Sequence, residues 1–428
     1  MVDKILKNQD PVLENILTEH EVPAPKEIPV DEVKLQRVAR PLRHVKHIPV
    51  KALTFHSKTG PMEFSYEKKI KIPIPKDKLV VQVNYVGLNP IDMKIRNGYT
   101  SAIYGEVGIG REYSGTVTEV GSKIQHAYHV GDEVFGIYYH PHLAVGSLQS
   151  AILVDPSVDP ILLRPVNLKP EAAAGSLYCL GAAFNLLDKI EKAGYLKTDS
   201  NVLINGGTTS VGMFVLQLLK HYYNLQKKIV IVTSGTGPNV LKDHFTDIGD
   251  DFIFIDYLGC RGKASRPIRK MFEKGEITNY DPVTNAEFTV KYDQGKFNVV
   301  LDFIGGYDIL GHSSDLIHSG GVYLTTVGDY VGNYSEDVFN SWDNPSANAR
   351  KMFGTMLWKY NYIHFYFDTN AKNAKKNDWL QKCGELLAND EVKCVVDKVY
   401  DWKDHKEAFS YMATQRAQGK LILKVEKF

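Results

Sequence analysis

Residues 204–212, Ile-Asn-Gly-Gly-Thr-Thr-Ser-Val-Gly, stand between a buried-type strand at 201–205 and a predicted helix at 211–223. The pyrophosphate of a dinucleotide binds backbone N–H groups at a helix N-terminus, and glycine is needed wherever a Cβ atom would collide with it. Gly206 and Gly212 fit the first and third glycine positions of that pattern, whereas Thr209 stands at the second. The segment predicts a nucleotide-binding turn, and a tightly packed turn that binds nothing is the alternative. The residues predicted to contact the cofactor here are Gly206, Gly207, Thr208, Thr209, Ser210, Val211 and Gly212.

Around this turn the chain alternates strand and helix. Short apolar runs at 228–233, 252–255, 299–302 and 322–326 are typical of strands that are buried on both faces. Separated by helices, they indicate a doubly wound parallel sheet of the Rossmann type. Before residue 170, predicted strands follow one another with turn signals and without helices, which indicates a barrel-type β unit. The fold class is therefore α/β, with one domain of each kind.

The strand after the glycine turn ends in Thr233-Ser234-Gly235-Thr236, and Lys242 follows downstream. An acidic residue at this place holds the ribose 2′-hydroxyl of NAD, whereas small polar and basic residues admit the 2′-phosphate of NADP. If a cofactor binds, NADP(H) is favoured, with Thr233, Ser234 and Lys242 near its ribose. The alternative is a solvated loop in which Lys242 faces water.

Composition excludes several classes of protein. Lys and Arg number 51 against 50 Asp and Glu, so no global charge favours nucleic acid. The four cysteines lie far apart, which is typical of a reducing compartment and not of a disulfide framework. No apolar run reaches the ~18 residues that span a bilayer, and the N-terminus lacks the apolar core of a signal peptide. We expect a cytoplasmic protein, with peripheral membrane association left open.

Five segments carry a resemblance when they are taken in order. They are Gly87–Gly98 (GLNPIDMKIRNG), Gly110–Gly121 (GREYSGTVTEVG), Val130–Gly136 (VGDEVFG), Phe297–Gly306 (FNVVLDFIGG) and the ending formed by Glu407-Ala-Phe with Gly419-Lys-Leu-Ile-Leu. Together they resemble the quinone-oxidoreductase branch of the medium-chain dehydrogenases/reductases. The resemblance covers about residues 50–428 and implies a GroES-like domain beside the Rossmann domain. It also places Phe303 and Gly305 on the strand that contacts the nicotinamide half of the cofactor.

The same resemblance bears on metal and catalysis. Zinc-dependent relatives carry Gly-His-Glu where this chain has Gly110-Arg111-Glu112, and the ligand cysteine expected near residues 88–92 is missing. Tetrahedral zinc needs at least three protein donors, so we expect no zinc. Some quinone oxidoreductases place a catalytic Tyr where this chain has Lys94. Lys94 could supply a proton or a stabilising cation, and a surface lysine on a helix is the alternative.

The resemblance also gives domain boundaries. We expect a partly disordered N-terminal extension at 1–48, rich in proline and charge. The first part of the GroES-like domain would span 49–175, and the nucleotide-binding domain 176–345. Residues 346–428 would then rejoin the GroES-like domain. Family habit adds a possible homodimer.

The proline-containing extension, the Thr-Thr-Ser glycine turn, Arg111-Glu-Tyr-Ser-Gly115 and Tyr138-Tyr-His-Pro141 together resemble the fungal Ast branch of this superfamily. That resemblance implies a role in delivering the plasma-membrane proton ATPase from the Golgi to the cell surface, through peripheral membrane and partner binding. The competing hypothesis is a cytosolic, NADPH-dependent, zinc-free reductase of quinones or enones. Thr209 and Lys94 favour the first hypothesis, and the intact nucleotide-domain segments favour the second.

Two further stretches agree with a membrane or partner surface. Six basic residues fall within 261–274, where they would attract anionic lipid. Aromatic residues crowd 358–367, where they could meet a membrane interface, cover the cleft or pack a homodimer. The alternatives are a solvated loop for the first stretch and core packing for the second.

Overall fold

We describe the chain from a computed structural model, which covers residues 46–57, 60–97, 105–138, 140, 144–280, 286–331, 345–371 and 377–426. The predicted N-terminal extension lies outside the described residues up to residue 45. The boundaries expected at 48, 175 and 345 stay predictions.

A mainly antiparallel β unit is formed by the first half of the chain together with its last strands. Strand β5 lies at its centre, because it pairs with β7, β9 and the C-terminal strand β20. The seven-stranded sheet runs β10-β8-β7-β5-β20-β19, with β9 joined to β5, and smaller sheets are formed by β1-β4 and β3-β2-β6. The strands are β1 (His47–Pro49), β2 (Ala52–Phe55), β3 (Glu63–Ser65), β4 (Lys69–Lys71), β5 (Leu79–Leu88), β6 (Val107–Gly108), β7 (Glu112–Val120), β8 (Glu133–Ile137), β9 (Ala151–Val154), β10 (Ile161–Leu163), β19 (Val396–Asp401) and β20 (Lys420–Lys424).

A six-stranded parallel sheet occupies the second half of the chain. Its order is β13-β12-β11-β16-β17-β18, so the chain reverses its direction of winding between β11 and β16. Ligands of such sheets bind outside the carboxyl ends of the strands at this reversal. The strands are β11 (Val202–Asn205), β12 (Ile229–Thr233), β13 (Phe252–Asp256), β16 (Phe297–Asp302), β17 (Ile317–Thr325) and β18 (Asn361–His364), and a separate hairpin is formed by β14 (Glu276–Tyr280) and β15 (Glu287–Lys291). The predicted α/β fold class, with its parallel sheet and separate β unit, is confirmed.

Helices connect and cover these strands. They are α1 (Pro90–Asn97), α2 (Pro170–Ala174), α3 (Leu177–Lys192), α4 (Ser210–Gln217), α5 (Gly237–His244), α6 (Ser265–Lys274), α7 (Tyr307–Gly311), α8 (Ser313–Leu316), α9 (Pro345–Trp358), α10 (Trp379–Ala388) and α11 (His405–Ala413). In the part of the chain that the structure describes, none of them is long and apolar enough to cross a membrane.

The sequence predicts one helical region at 171–190, and the structure breaks it into α2 and α3 at Gly175 and Ser176. The break follows from close packing. A Cβ atom on Gly175 would lie 2.9 Å from Ile422 Cδ1 and 3.0 Å from Lys420 Cγ. The chain therefore passes directly against strand β20 at this point.

The aromatic stretch at 358–367 serves mainly as core. Tyr360 and Tyr362 are buried, and Phe365 and Phe367 pack against the main hydrophobic cluster. Among the six aromatic residues of the stretch, only Tyr366 is exposed, at 69%. The stretch therefore offers no broad membrane-facing surface of aromatic side chains.

Candidate functional site

The predicted glycine turn leads from the carboxyl end of β11 into helix α4. Gly206 has φ +92°, a left-handed conformation that glycine adopts without strain. A Cβ atom on Gly212 would lie 2.4 Å from the Gly206 carbonyl oxygen, so the helix can approach the strand only with glycine there. Gly207 is buried against Ile231 of the neighbouring strand. The turn therefore lies at the strand-to-helix junction where the sequence predicted it.

Thr209 occupies the second glycine position and caps helix α4. Its side-chain oxygen accepts a hydrogen bond from Gly212 N at 3.0 Å and donates one to Gly206 O at 2.8 Å. A threonine cap of this kind typically stabilises a helix by ~1 kcal/mol. The threonine hydroxyl thus uses one of the N–H groups that an anion at this helix end would otherwise meet.

Two backbone donors stay open beside that cap. Ser210 and Val211 begin helix α4, and their N–H groups have no acceptor among the described residues. The Ser210 hydroxyl is turned away and donates to Gly419 O at 2.9 Å, which fixes the turn against the segment before β20. Open N–H groups at the positive end of a helix suit a phosphate oxygen. The turn therefore fits a pyrophosphate in part, with two donors open and a third occupied by Thr209.

The end of strand β12 lies beside the turn. The hydroxyls of Thr208 and Thr233 are 3.0 Å apart, and the Ser234 carbonyl accepts from Gly237 N at 2.6 Å. The structure therefore brings Thr208, Thr233 and Ser234 together. Lys242 lies in the last turn of α5, and its ammonium sits 5.9 Å from the Phe288 ring centroid. The helix rise separates Lys242 from Gly237 by roughly 8 Å along the axis, so Lys242 is apart from that group.

Strand β16 brings the other predicted contacts to the same edge. Asp302 ends β16 fully buried, and its Oδ1 accepts from Asn205 Nδ2 at 2.8 Å, Ile304 N at 3.0 Å and Gly305 N at 2.9 Å. Burial raises the pKa of this carboxyl group, and these hydrogen bonds oppose the rise. Phe303 is packed into the core, so only its backbone can reach a ligand. Ile304 projects over Gly206, where its Cδ1 would lie 2.8 Å from an added Cβ atom.

Lys94 lies on α1 of the β unit and is half-buried. Burial lowers the pKa of its ammonium. Burial lowers the pKa of His364, the last residue of β18; Asp329 opposes this shift, and the charges of Lys94 and Lys351 add to it. Lys94 is therefore partly shielded from water and is not a freely solvated surface lysine.

The position expected for a zinc-binding imidazole holds Arg111. Its side chain is buried, with Nε 3.7 Å from Asp92 Oδ1 and Nη1 donating to Val145 O at 2.8 Å. Within the described ranges, His, Cys, Asp and Glu side chains form no group of three that could hold a metal. A guanidinium cation repels a metal cation, so the residues at this position do not fit zinc.

Glu112, next to Arg111, belongs to a buried polar cluster. Lys420 donates to Glu112 Oε1 at 2.5 Å and to Asn89 Oδ1 at 2.8 Å, with Cys179 Sγ 3.6 Å away. Asn89 Nδ2 and Tyr178 N donate to the same carboxylate at 2.8 and 3.0 Å. Burial alone would lower the pKa of Lys420, and the neighbouring Cys179 and Glu112 raise it above its ordinary value. Three protein donors thus hold the Glu112 carboxylate within the buried cluster.

Sequence reasoning missed Lys420 in the buried cluster. It also missed the contact at the end of β18 between the Tyr366 hydroxyl and His364 Nδ1, which are 3.1 Å apart. Lys420 stands inside a recognised ending segment, but 308 residues separate it from Glu112 and no local pattern links the two. His364 and Tyr366 were hidden within an aromatic stretch in which most residues are core. Only the tertiary fold brings these side chains to the carboxyl edge or to the buried cluster.

Two family models match the chain. Residues 75–152 match the one described as alcohol dehydrogenase GroES-like domain, and residues 275–423 match the one described as zinc-binding dehydrogenase. The chain is 70% identical to Protein AST1 and 67% identical to Protein AST2 of Saccharomyces cerevisiae, with 100% of each chain covered. The quinone oxidoreductase from Coxiella burnetii has a similar structure, with a TM-score of 0.63 and 19% identity over 89% of this chain and 100% of that chain. At that identity the structural likeness concerns the fold alone.

Proposed function

Because the chain belongs to the family of Protein AST1 and Protein AST2, within the quinone-oxidoreductase-like medium-chain dehydrogenases/reductases, we propose that it acts in delivering and stabilising the plasma-membrane proton ATPase. In this role it binds the cytoplasmic face of Golgi and plasma membranes and the ATPase itself. The chain would use the dehydrogenase fold as an adaptor between the ATPase and the membrane. One fold can carry different functions, so the fold alone does not require a dehydrogenase activity. The observation that carries the proposal is a basic face with an apolar tip at 257–274.

The basic face comprises helix α6 and the turn before it. Arg261, Lys263, Arg266, Lys270 and Lys274 are exposed, whereas Arg269 pairs with Asp315 at 3.5 Å. Ile268 and Met271 hold the opposite face of α6 in the core. Residues 265–274 are therefore helical and not a loop, and the basic side of this helix is exposed to solvent.

An apolar tip lies beside the basic side chains. Leu258 is 57% exposed and Tyr257 43% exposed, in the turn directly after β13. Exposed apolar residues next to basic ones suit the interface of an anionic bilayer, where apolar groups enter the acyl boundary and each cation contributes ~1 kcal/mol. The five exposed cations can therefore hold the protein at such a membrane reversibly.

Co-sedimentation with vesicles tests membrane binding. We expect binding to phosphatidylcholine vesicles that contain phosphatidylserine and little binding to phosphatidylcholine alone. A Lys263→Gln, Arg266→Gln, Lys270→Gln variant loses about 3 kcal/mol of attraction, which is roughly 100-fold in affinity. The matched control is a Lys123→Gln, Lys197→Gln, Lys406→Gln variant, which removes three exposed cations elsewhere. Equal binding by both variants would rule out the basic face.

Partner binding needs its own experiment. Full-length protein is mixed with proton ATPase reconstituted in phosphatidylcholine vesicles. Because phosphatidylcholine has no net charge, the lipid cannot attract the basic face of the protein. We expect ATPase-dependent co-sedimentation that persists in the basic-face variant, because protein contacts do not need anionic lipid. Sedimentation that is independent of the ATPase would contradict the adaptor role.

The second candidate function is an NADPH-dependent, zinc-free reductase of quinones or enones. The open N–H groups of Ser210 and Val211 at the sheet reversal favour it, since they suit a pyrophosphate. Residues 233–236 at the end of β12 include no carboxylate, so Thr233 and Ser234 would accept a ribose 2′-phosphate. When bound, the nicotinamide would supply the hydride, and the chain would orient it at the carboxyl edge of the sheet.

Cofactor titration tests this candidate. Protein fluorescence and thermal midpoint are followed during addition of NADPH or NADH to the purified full-length chain. We expect both signals to change with NADPH, and to change less with NADH. No response at millimolar NADPH would exclude the reductase without touching the adaptor proposal.

A further inference from the structure

A groove with a volume of about 320 Å³ lies between the end of helix α5 and strand β19. Its walls come from three segments of the chain, at 169–172, 244–245 and 393–399. Helix α5 begins at the carboxyl edge of the parallel sheet, and the helix rise places His244 roughly 10 Å along the axis from that beginning. The groove is therefore separate from the glycine turn, and the described residues that line it include none of the predicted cofactor contacts.

Hydrogen bonds from neighbouring helices hold the walls of the groove in place. The buried side chain of Gln217 accepts a hydrogen bond from Lys393 N at 2.7 Å and donates one to Lys393 O at 3.0 Å. His221 links the segment before the floor to the segment after α5, because its Nδ1 lies 2.6 Å from Glu391 O and its Nε2 lies 2.8 Å from Asp247 Oδ2. The groove is therefore formed before any ligand enters it.

The floor of the groove is mainly apolar. Phe245 and Val395 are buried beneath it, Val396 is half-buried, and Val399 is 48% exposed. The Cys394 thiol also lines the groove, and burial raises its pKa to about 12, so the thiol is uncharged near pH 7. Ligand sites in proteins are commonly cavities of ~300–1,000 Å³ with mostly apolar walls and a few polar groups. The size and the lining of the groove therefore suit the apolar part of a small molecule.

Two lysines make the groove positively charged. Lys169 and Lys393 are exposed beside the floor, and neither ammonium has a carboxylate partner among the residues that the structure describes. Glu171, which is half-buried, sets one negative charge against these two positive charges. Unpaired cations beside apolar surface attract an anion that also carries an apolar part. The groove therefore fits a carboxylate that is attached to an acyl chain.

We propose that this groove binds a fatty acid, with the carboxylate near Lys169 and Lys393 and the acyl chain over Val395, Val396 and Val399. Removal of the acyl chain from water supplies most of the attraction, and the two ammonium groups select the anion. The site is additional to both functions proposed above and depends on neither of them.

The test uses cis-parinaric acid, a fatty acid whose fluorescence rises when it leaves water, with the full-length chain and no vesicles. We expect a saturable signal that dodecanoate displaces, and about 10-fold weaker binding of the methyl ester of the probe, because the ester has no charge. The Lys169→Gln, Lys393→Gln variant should bind the acid about 10-fold more weakly, whereas Lys169→Arg, Lys393→Arg keeps both cations and should stay within about 3-fold of the wild type. Val399→Asp should weaken binding by about 10-fold as well, because it places a carboxylate on the apolar floor.

Matched controls are the Lys123→Gln, Lys197→Gln variant and Val130→Asp, which change two exposed lysines and an exposed valine elsewhere and should bind the probe as the wild type does. Wild-type thermal midpoints confirm that each variant is folded. The proposal is overturned by the absence of a saturable signal, by equal binding of the acid and its methyl ester, or by wild-type affinity in the Lys169→Gln, Lys393→Gln variant. NADPH should leave the probe bound, because the groove is separate from the glycine turn. Displacement of the probe by NADPH would place it in the cofactor cleft and would overturn the proposal too.

Discussion

Thr209 and Gly212 share a hydrogen bond that a phosphate oxygen would have to replace. Thr209→Gly removes the competing hydroxyl, so we expect NADPH to bind about 10-fold more tightly, equivalent to ~1.4 kcal/mol. The free energy of unfolding should fall by only a few tenths of a kcal/mol, because glycine is itself a tolerable N-cap. Fluorescence titration measures the affinity. Thr209→Ser is the control that keeps the cap, and unchanged or weaker binding by Thr209→Gly would mean that the hydroxyl does not compete with phosphate.

The buried Asp92 should make the free energy of unfolding depend on pH. Burial raises its pKa from 3.8 to about 6, although Arg111 and two backbone N–H groups oppose the rise. The folded chain therefore holds this proton more tightly than the unfolded chain, and the associated stability is lost as pH rises from about 4 to about 6. Relative to Asp92→Asn, the wild type should lose up to about 3 kcal/mol of unfolding free energy across that window.

Urea unfolding at several pH values measures that difference. Asp199→Asn is the control, since Asp199 is exposed. A constant difference between wild type and Asp92→Asn from about pH 4 to about pH 6 would mean that Asp92 is ionised throughout.

At the scale of elements, helix α9 presents an apolar face to solvent. Met352 and Met356 are 75% and 73% exposed. The residue that follows each of them, Phe353 and Leu357, is also exposed. Exposed apolar patches on this scale mark interaction surfaces. Met352→Glu with Met356→Glu should reduce co-sedimentation with the reconstituted ATPase by at least about 10-fold, and should change unfolding free energy by less than about 0.5 kcal/mol.

The matched control is Thr198→Glu with Ser314→Glu, which adds the same two carboxylates at exposed positions elsewhere. If the α9 variant sediments with the ATPase as the wild type does, this face takes no part in partner binding.

Helices and strands could be predicted from the sequence where the local pattern of apolar residues agrees with the tertiary packing. Strands β11, β12 and β16 are buried on both faces, and their apolar runs identified them. The break at Gly175 was not predictable, because its cause is contact with Ile422, which is remote in the sequence. The exposed face of α9 was missed as well, since apolar residues in a sequence predict burial by default.

At the scale of the whole molecule, the buried Lys420 joins β20 to β7, to α3 and to Asn89, the residue after β5. Lys420→Met leaves Glu112 buried without a cation, which typically costs about 3–5 kcal/mol. We expect a lower midpoint in urea unfolding with an unchanged slope. Adding Glu112→Gln should recover part of the loss, because the uncompensated charge is then gone.

Lys424→Met is the control, as Lys424 ends the same strand but is exposed. An equal loss in both lysine variants would mean that the strand, and not the ion pair, carries the stability. The general architecture followed from ordered motifs in the sequence. The cluster at Glu112 did not, because its members come from distant segments and show no common spacing.

The separation of Glu112 from Lys420 has a consequence for biosynthesis. At about 5–20 residues per second, a ribosome takes roughly 15–60 s to travel the 308 residues between them. During that interval the nascent β5–β7 pair carries a carboxylate whose counter-ion has not yet been made, and the edge of β5 that β20 later covers stays open. Nascent chains should therefore recruit chaperones at this edge until Lys420 has been translated and docked.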